Sequence, residues 1–386
     1  TLVLFSNTCP VGKRSRVGLD TSTSYSTVYE SSLQYGPVVV QWLESSQIKA
    51  IDSDFCAFLK SGNRELYEIL CRYRLGMAWD DESDHSLFLI QIAQALEDYL
   101  IQLFALYTDV SHLKTTASAA QHQAIFRSVF VKPSRRLKID PMLDFTAITR
   151  RLHTDDSFSY PLNETQWVAI GLRIYERHSS EDEPYQMMLQ WCGLVIHNEL
   201  KPYLDTWAVF TLPARVDLSQ LIETQDSDAG FRQTLEAYWR VRQGFQLTDQ
   251  GASDVAVADQ LYYCLECHQK KTDYCRTGFF KKKSDQQAGF KSNQLDELLE
   301  GCPLDERISE MHWLKRRHWA IASLAMIMRD NPLCSLTGHR ICNDCMKSCI
   351  YQKQEPVDIP EVESRVLKDV LAMQWGCEVY DLLVRW

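Results

Sequence analysis

The stretch NPLCSLTGHRICNDCMKSC, residues 331–349, is the most informative part of this sequence. Three of its cysteines, Cys342, Cys345 and Cys349, follow the pattern Cys-x2-Cys-x3-Cys. A Cys-x2-Cys turn lets two thiolates converge on one site, an arrangement that iron–sulfur clusters and tetrahedral zinc sites both use. The stretch therefore predicts a small module built around thiol ligands in the carboxy-terminal part of the chain.

More cysteines lie upstream of this stretch. Cys264, Cys267 and Cys275 are separated by two and seven residues, and Cys302, which precedes a proline, follows after 26 more. Nine of the thirteen cysteines fall between Cys264 and Cys377. An odd number does not suit complete disulfide pairing, and the amino terminus has no secretion signal. We therefore expect metal or cluster ligation in a reducing cytoplasm.

Spacing alone leaves three interpretations of these cysteines. Iron–sulfur clusters come first. Zinc is the main rival, because nearby histidines could complete a tetrahedral site. Inert buried thiols are a weaker third interpretation, because nine cysteines in so short a region exceed ordinary use. The histidines available to zinc are His268, His312, His318 and His339.

A series of short motifs carries a family resemblance. They are Gly301-Cys302-Pro303-Leu304, Ile308, residues 320–325, Asn331-Pro332-Leu333, Gly338-His339-Arg340-Ile341-Cys342, Cys345, Cys349 and Pro356-Val357-Asp358-Ile359. In this order they closely resemble the amino-terminal two-cluster module of the glutamate synthase small subunit and of dihydropyrimidine dehydrogenase. The resemblance begins at about residue 262 and covers about a third of the 386 residues. It implies a small helical, ferredoxin-like module that holds two [4Fe–4S] clusters.

The resemblance also implies the cluster ligands. One cluster would be held by Cys264, Cys267, Cys275 and Cys349. The other would be held by Cys302, Cys342, Cys345 and Glu363. Without the resemblance, Glu363 would be interpreted as a surface residue of a helix. The chain departs from the family by an insertion, residues 276–300, at a place where the family has only a few residues.

The expected function is electron relay between a flavin and another redox site. By resemblance the module works with FAD- and NAD(P)-binding domains, but no Gly-x-Gly-x-x-Gly motif for them occurs here. We expect those domains either in a longer chain, of which this is a piece, or in a separate subunit. The chain would thus be a metal-binding iron–sulfur part of an oxidoreductase, with no catalytic residue of its own. The alternatives are a zinc-stabilised or cluster-less interaction scaffold without redox activity, and a module that has lost one or both clusters.

The segment 1–250 predicts a helical domain of unknown role, ahead of a module at 251–386. Apolar residues in the segment 86–107 recur at steps of three and four, as on one face of a helix, and its polar residues favour a core helix over a membrane span. Helices are also predicted at 218–224 and 228–244. The fold class is therefore all-α. The composition, 45% hydrophobic and 24% charged with a net charge of −10, disfavours nucleic acid or an anionic membrane as the main partner.

Overall fold

The structure is a computed structural model. It describes residues 45–139, 142–153, 163–204, 206–211, 213–218, 220–236, 239, 241–246, 251–270, 272–282, 285–338 and 341–385. The predicted zinc ligand His339 and its neighbour Arg340 lie outside the described residues.

The chain divides into two compact units. The first comprises residues 1–113, 214–252 and 266–386, and the second comprises 114–213 and 253–265. One division lies between Ala252 and Ser253, close to the expected boundary at residue 250, but the two units are not the two expected segments. The helices before residue 113 share a unit with most of the cysteine-rich region, and Cys264 belongs to the other unit.

Most of the described residues are helical, which confirms the predicted all-α class. The described α-helices of four or more residues up to residue 204 are α1 Ser45–Gly62, α2 Arg64–Arg74, α3 Glu82–Phe104, α4 Tyr107–Phe126, α5 Phe145–Leu152, α6 Glu164–Arg177, α7 Glu183–His197 and α8 Lys201–Leu204. The later helices are α9 Asp254–Tyr263, α10 Tyr274–Thr277, α11 Ile308–Arg316, α12 Ala320–Asp330, α13 Cys334–Thr337, α14 Asp344–Lys347, α15 Ile359–Leu371 and α16 Gly376–Arg385. A π-helical turn, Arg127–Val131, extends α4.

Helix α3 is the central helix of the first unit. The Asp81 side chain caps it by accepting from the Ser83 amide at 2.8 Å, and it ends where Ala105 takes a left-handed conformation with φ 54°. Its length and composition would suit a membrane span, yet half of its apolar window is buried within the structure. Leu89 and Leu100, from the predicted stripe, are among its buried residues. Helix α3 packs against α12, and α12 also packs against α11, α15 and α16.

The second unit has an aromatic core. Trp167 on α6 and Trp191 on α7 are almost completely buried, with ring centroids 4.4 Å apart. The Trp191 indole donates to the Thr149 hydroxyl at 3.0 Å, so its one polar atom is satisfied inside the core. A capping box begins α6, where the side chains of Asn163 and Gln166 each accept from the other residue's amide. This unit folds around its own core, but it holds only Cys264 of the predicted ligands.

The helices predicted at 218–224 and 228–244 are wrong. The described part of this region forms an antiparallel hairpin of β1 Thr224–Asp226 and β2 Arg232–Thr234. Gly230 has φ +79° and its amide donates to the Ser227 carbonyl at 2.9 Å, which closes the turn. Residues 226–228, Asp-Ser-Asp, are of types that form turns as well as helix caps, and the turn prevails here.

A second hairpin lies in the insertion 276–300. Its strands are β3 Phe280–Lys282 and β4 Asp285–Phe290, with the Phe280 and Phe290 rings stacked 4.7 Å apart. Two further backbone bonds close the insertion below the hairpin, from Phe279 N to the Leu299 carbonyl and from Lys291 N to the Phe279 carbonyl, both at 2.8 Å. The insertion is therefore an ordered β-extension that returns to its starting point.

Candidate functional site

The two ends of the insertion meet beside the cysteine motifs. The Cys302 amide donates to the Cys275 carbonyl at 2.9 Å, although the whole insertion lies between the two in sequence. Gly278 and Gly301 make this approach possible. A Cβ on Gly301 would lie 2.5 Å from the Arg276 carbonyl oxygen and 2.6 Å from the Gly278 nitrogen. The sequence insertion therefore leaves Cys275 next to the Cys302 segment.

The Cys302 segment is also tied to the last cysteine motif. The Gly301 amide donates to the Ser348 hydroxyl at 2.9 Å, and Ser348 is completely buried. Cys345 lies on α14, and α14 packs against α10. These segments lie near Glu363 of α15. We use the name Glu363 pocket for the group of side chains that interact electrostatically with Glu363, which are Glu306, Cys302, Cys334, Cys342 and Cys345.

Glu363 is buried, with 7% of its surface exposed, and its carboxyl group interacts with that of Glu306 through a side-chain hydrogen bond. Burial and the neighbouring Glu306 raise the pKa of Glu363 well above its ordinary value. Burial also raises the pKa of Glu306, although hydrogen bonds to Glu363 and Asn331 oppose the shift. Two carboxyl groups can form a hydrogen bond with each other only if they share a proton. The pair of Glu306 and Glu363 therefore carries less than its full negative charge.

Four thiols lie within electrostatic range of Glu363. Burial raises the pKa of Cys302 to about 11; backbone hydrogen bonds from Glu306 and Leu304 oppose the rise, and the charges of Glu306 and Glu363 add to it. The pKa of Cys345 is raised well above its ordinary value by burial, then by Glu363, Cys302 and Cys342. The pKa values of Cys334 and Cys342 are shifted in the same direction, burial being the first cause for both. The thiols of the Glu363 pocket are therefore protonated and neutral at pH 7.

A second group of thiols forms around Asp273. Burial raises the pKa of Cys267 to about 11, and the next causes are Asp273 and then Cys349. The Cys275 thiol donates to Asp273 Oδ1 at 3.1 Å. Burial raises the pKa of Cys349, while backbone amides, that of Tyr351 first, oppose the shift. The structure thus brings together Cys302, Cys342, Cys345 and Glu363 in one group and Cys267, Cys275 and Cys349 in another, with Cys264 in the other unit.

The donors are not arranged around a metal ion. Among the residues that the structure describes, no three His, Cys, Asp or Glu side chains form a group that could hold one. Glu363 is engaged by Glu306, which was not among the predicted site residues. Of the histidines proposed for zinc, one lies within hydrogen-bond distance of a serine hydroxyl and another is completely buried. His268 Nδ1 lies 2.7 Å from the Ser309 hydroxyl, and the completely buried His312 has its pKa lowered to about 3 by burial.

Sequence reasoning missed two residues of the Glu363 pocket, Glu306 and Asn331. A glutamate four residues after a Cys-Pro turn would ordinarily be expected to face solvent. Asn331 is the first residue of the stretch 331–349 and of its Asn-Pro-Leu motif, but its side chain was not expected to bind a cluster or a metal. The signal that could have identified both is their position beside motifs whose cysteines are buried.

Comparison with known proteins gives two relatives and one family model. The family model, described as the RP005 N-terminal alpha-helical domain, matches residues 40–105. Uncharacterized protein RP005 of Rickettsia prowazekii (strain Madrid E) is 23% identical over 299 residues, which covers 71% of this chain and 95% of that protein. Uncharacterized protein RP006 of the same organism is 62% identical over 50 residues, 13% of this chain. The chain matches 7% of the length of RP006. No solved structure matches.

These findings correct one part of the sequence-based interpretation. The classification of the chain as a metal-binding, iron–sulfur, FAD-dependent oxidoreductase is wrong for the described residues, because their donors form no metal-binding group and the relatives are described only as uncharacterized proteins. What the structure and the family model support is a mostly α-helical protein. The two [4Fe–4S] clusters and the FAD and NAD(P) partner domains remain predictions from resemblance.

Proposed function

We propose that the chain is a cluster-free interaction scaffold, in which the cysteine-rich module of the first unit serves as a platform that holds helices α1–α3. This is the second of the two functions expected from the sequence. The observation that carries it is the buried polar network by which α3 docks on the module. A surface that already binds one helical segment through specific, buried polar bonds has the properties of an interaction platform.

The network has two parts. At the first, the buried Glu97 of α3 accepts from the Ala322 amide in the first turn of α12 at 2.9 Å. A carboxylate there is favoured because the first amides of a helix have no partner within the helix. At the second, the Ser86 hydroxyl donates to Glu310 Oε1 at 2.6 Å, and Arg307 donates to the same oxygen at 3.2 Å.

Arg307 extends this second part along the surface of α3. Its guanidinium pairs with Glu82, and its Nη2 lies 2.9 Å from His85 Nδ1. Only 2% of the Arg307 side chain is exposed. A buried ion pair gains little free energy over apolar packing, but removing one of its members costs much more. The network therefore specifies one docking geometry.

The family model bears on the segment that the platform would hold. The family model that matches residues 40–105 covers α1–α3, so the segment held by the platform has a counterpart described as a helical domain in another protein. The Glu363 pocket also suits a scaffold, because burial raises the pKa of its thiols and the carboxyl pair that shares a proton carries one negative charge instead of two. The platform can then be stable without a bound group.

The test is the metal content and chelator response of the whole chain, purified without oxygen. A scaffold should contain less than about one iron, sulfide or zinc per chain, and EDTA should leave its unfolding midpoint unchanged. About four or eight irons with matching acid-labile sulfide would overturn the proposal in favour of the predicted electron relay. One zinc per chain, with unfolding in EDTA, would overturn it in favour of a zinc-stabilised protein.

A matched pair of variants sharpens the test. Cys302→Ser changes a thiol of the Glu363 pocket, and Cys56→Ser changes a half-buried thiol on α1 that no motif includes. In a cluster-free scaffold both variants should lie within about 1 kcal/mol of the unchanged chain in urea unfolding. If Cys302→Ser alone prevents folding, the thiol has a role that this proposal does not contain.

A further inference from the structure

Helices α1 and α2 of the first unit form a hairpin in which Asn63 alone links the two helices. They pack against each other, and Lys60 Nζ lies 5.7 Å from the centroid of the Tyr67 ring. Arg74, the last residue of α2, pairs with Asp52 of α1, with Nη2 2.6 Å from Oδ1. Helix α2 therefore runs back along α1 in the opposite direction.

Each helix of this hairpin carries one cysteine at the same level. Cys56 lies seven residues before Asn63 and Cys71 lies eight residues after it, so the antiparallel return brings them to the same height. Arg74 Nη1 donates to Cys56 Sγ at 3.4 Å. Cys71 precedes Arg74 by three residues, which places both on one face of α2. Cys56 is therefore next to the face of α2 that carries Cys71.

The two thiols also share their polar neighbours. A hydrogen bond with Cys71 raises the pKa of Tyr67, and the charges of Cys71 and then of Cys56 add to the rise. Burial raises the pKa of Cys56, the charge of Arg74 opposes this rise, and Cys71 adds to it. Each thiol therefore lies within electrostatic range of the other.

Both thiols are free, and both are only half-buried, so a small reagent can reach them. Neither belongs to the predicted cluster ligands, and within the described ranges no third donor side chain completes a metal-binding group with them. Thiol–disulfide exchange requires two thiols that are close together and accessible. Cys56 and Cys71 meet both conditions.

We propose that Cys56 and Cys71 form a reversible disulfide bond by exchange with a low-molecular-weight disulfide, for which glutathione disulfide is the probe. In the first step the Cys56 thiolate, which the Arg74 guanidinium favours, attacks one sulfur of the probe, and one glutathione leaves as a thiolate. In the second step the Cys71 thiolate attacks Cys56 Sγ, and the second glutathione leaves. The two protein thiols lose two electrons to the probe, and their protons pass to the two departing thiolates.

The bond joins two positions that are 15 residues apart in the chain. A cross-link of this kind restricts the unfolded chain, so the oxidised hairpin resists unfolding more than the reduced one. The hairpin lies within residues 40–105, the segment that the family model matches. The inference goes beyond the scaffold function and does not depend on it, because both thiols lie outside the Glu363 pocket.

The experiment equilibrates the reduced whole chain with mixtures of glutathione and glutathione disulfide at about pH 8 without oxygen, and then blocks the remaining thiols. Trypsin cleaves on both sides of each thiol, which places Cys56 in the peptide 50–60 and Cys71 in the peptide 65–72, and neither peptide contains another cysteine. We expect mass spectrometry to show these two peptides joined by a disulfide. The equilibrium constant for joining them should be at least about tenfold larger in the folded chain than in concentrated urea, because the fold holds the two thiols together.

Two variants distinguish this pair from chance pairing. Cys71→Ser alone should leave Cys56 as a mixed disulfide with glutathione. The double variant Cys71→Ser/Arg72→Cys moves the thiol by one residue, about 100° around α2, and hardly changes the loop length. It should join to Cys56 at least about tenfold less well in the folded chain and equally well in urea, and circular dichroism under reducing conditions checks that it folds.

Three results would overturn the proposal. The first is joining of Cys56 to Cys71 that is no better in the folded chain than in urea. The second is a folded chain in which both thiols end as separate mixed disulfides or in which Cys56 pairs with a different cysteine. The third is equal joining when the thiol is moved to position 72.

Discussion

Replacing Gly301 by alanine should strongly destabilise the first unit, although it adds only one methyl group. Gly301 has φ +85°, which costs an L-residue about 1–2 kcal/mol. The added Cβ would also lie 2.5 Å from the Arg276 carbonyl oxygen and 2.6 Å from the Gly278 nitrogen. Both are backbone atoms that cannot rotate away, so overpacking adds about 1–3 kcal/mol. We expect a loss of about 3 kcal/mol in the free energy of unfolding.

Two other glycines separate the causes. Gly230 has φ +79° but nothing within 4 Å of an added Cβ, so Gly230→Ala should cost only the conformational part, about 1 kcal/mol. Gly62, on α1, has neither a positive φ nor a neighbour, and Gly62→Ala should be neutral or stabilising by about 0.5 kcal/mol. All three positions belong to the first unit, so they share one unfolding reference.

The assay is urea unfolding monitored by pulsed alkylation, with mass spectrometry reading the modification of the buried Cys345 in the first unit. The midpoint should be highest for Gly62→Ala, lower for Gly230→Ala and lowest for Gly301→Ala. If Gly301→Ala costs no more than Gly230→Ala, the two insertion ends do not approach closely in the folded protein, and the Glu363 pocket does not form between these segments.

Three further predictions concern buried polar groups of the first unit. Glu97→Ala should cost about 2 kcal/mol in urea unfolding because the Ala322 amide loses its acceptor, and a cost near zero would contradict the docking network. Lys315→Met should lower the free energy of unfolding by about 3 kcal/mol, because the buried charge of Asp369 loses its ion-pair partner. Adding Asp369→Leu should recover most of this loss if the pair is shielded from water. The pKa of His312 is lowered to about 3 in the folded chain, so His312 takes up a proton near pH 6.5 only when the chain is unfolded. The free energy of unfolding should therefore fall by about 1.4 kcal/mol per pH unit below pH 6.5. His312→Leu should remove this contribution to the slope, as measured by unfolding curves at pH 7, 6 and 5.

Helix α3 could be predicted because its apolar periodicity is sustained. Its apolar stripe includes the buried Leu89, Ala93, Leu100 and Leu103. Several turns of consistent pattern outweigh any local ambiguity. The hairpin around Gly230 was not predicted, because its strands are three residues long and show no alternation to read.

The site could be predicted only in part. The grouping of Cys302, Cys342 and Cys345 with Glu363 came from resemblance, and the structure does gather these residues in one pocket. The protonation of the pocket could not be predicted, since it depends on burial and on Glu306, which lies far from Glu363 in the chain.

The way in which the insertion closes also bears on how this chain can vary. Its two ends are joined by the bond between the Cys302 amide and the Cys275 carbonyl, so any length of chain between them leaves both ends in place. Loop closure becomes only slowly more costly with length, which means that the β-extension can grow, shrink or carry a new sequence at little cost. The core of the module is therefore insulated from change at this position.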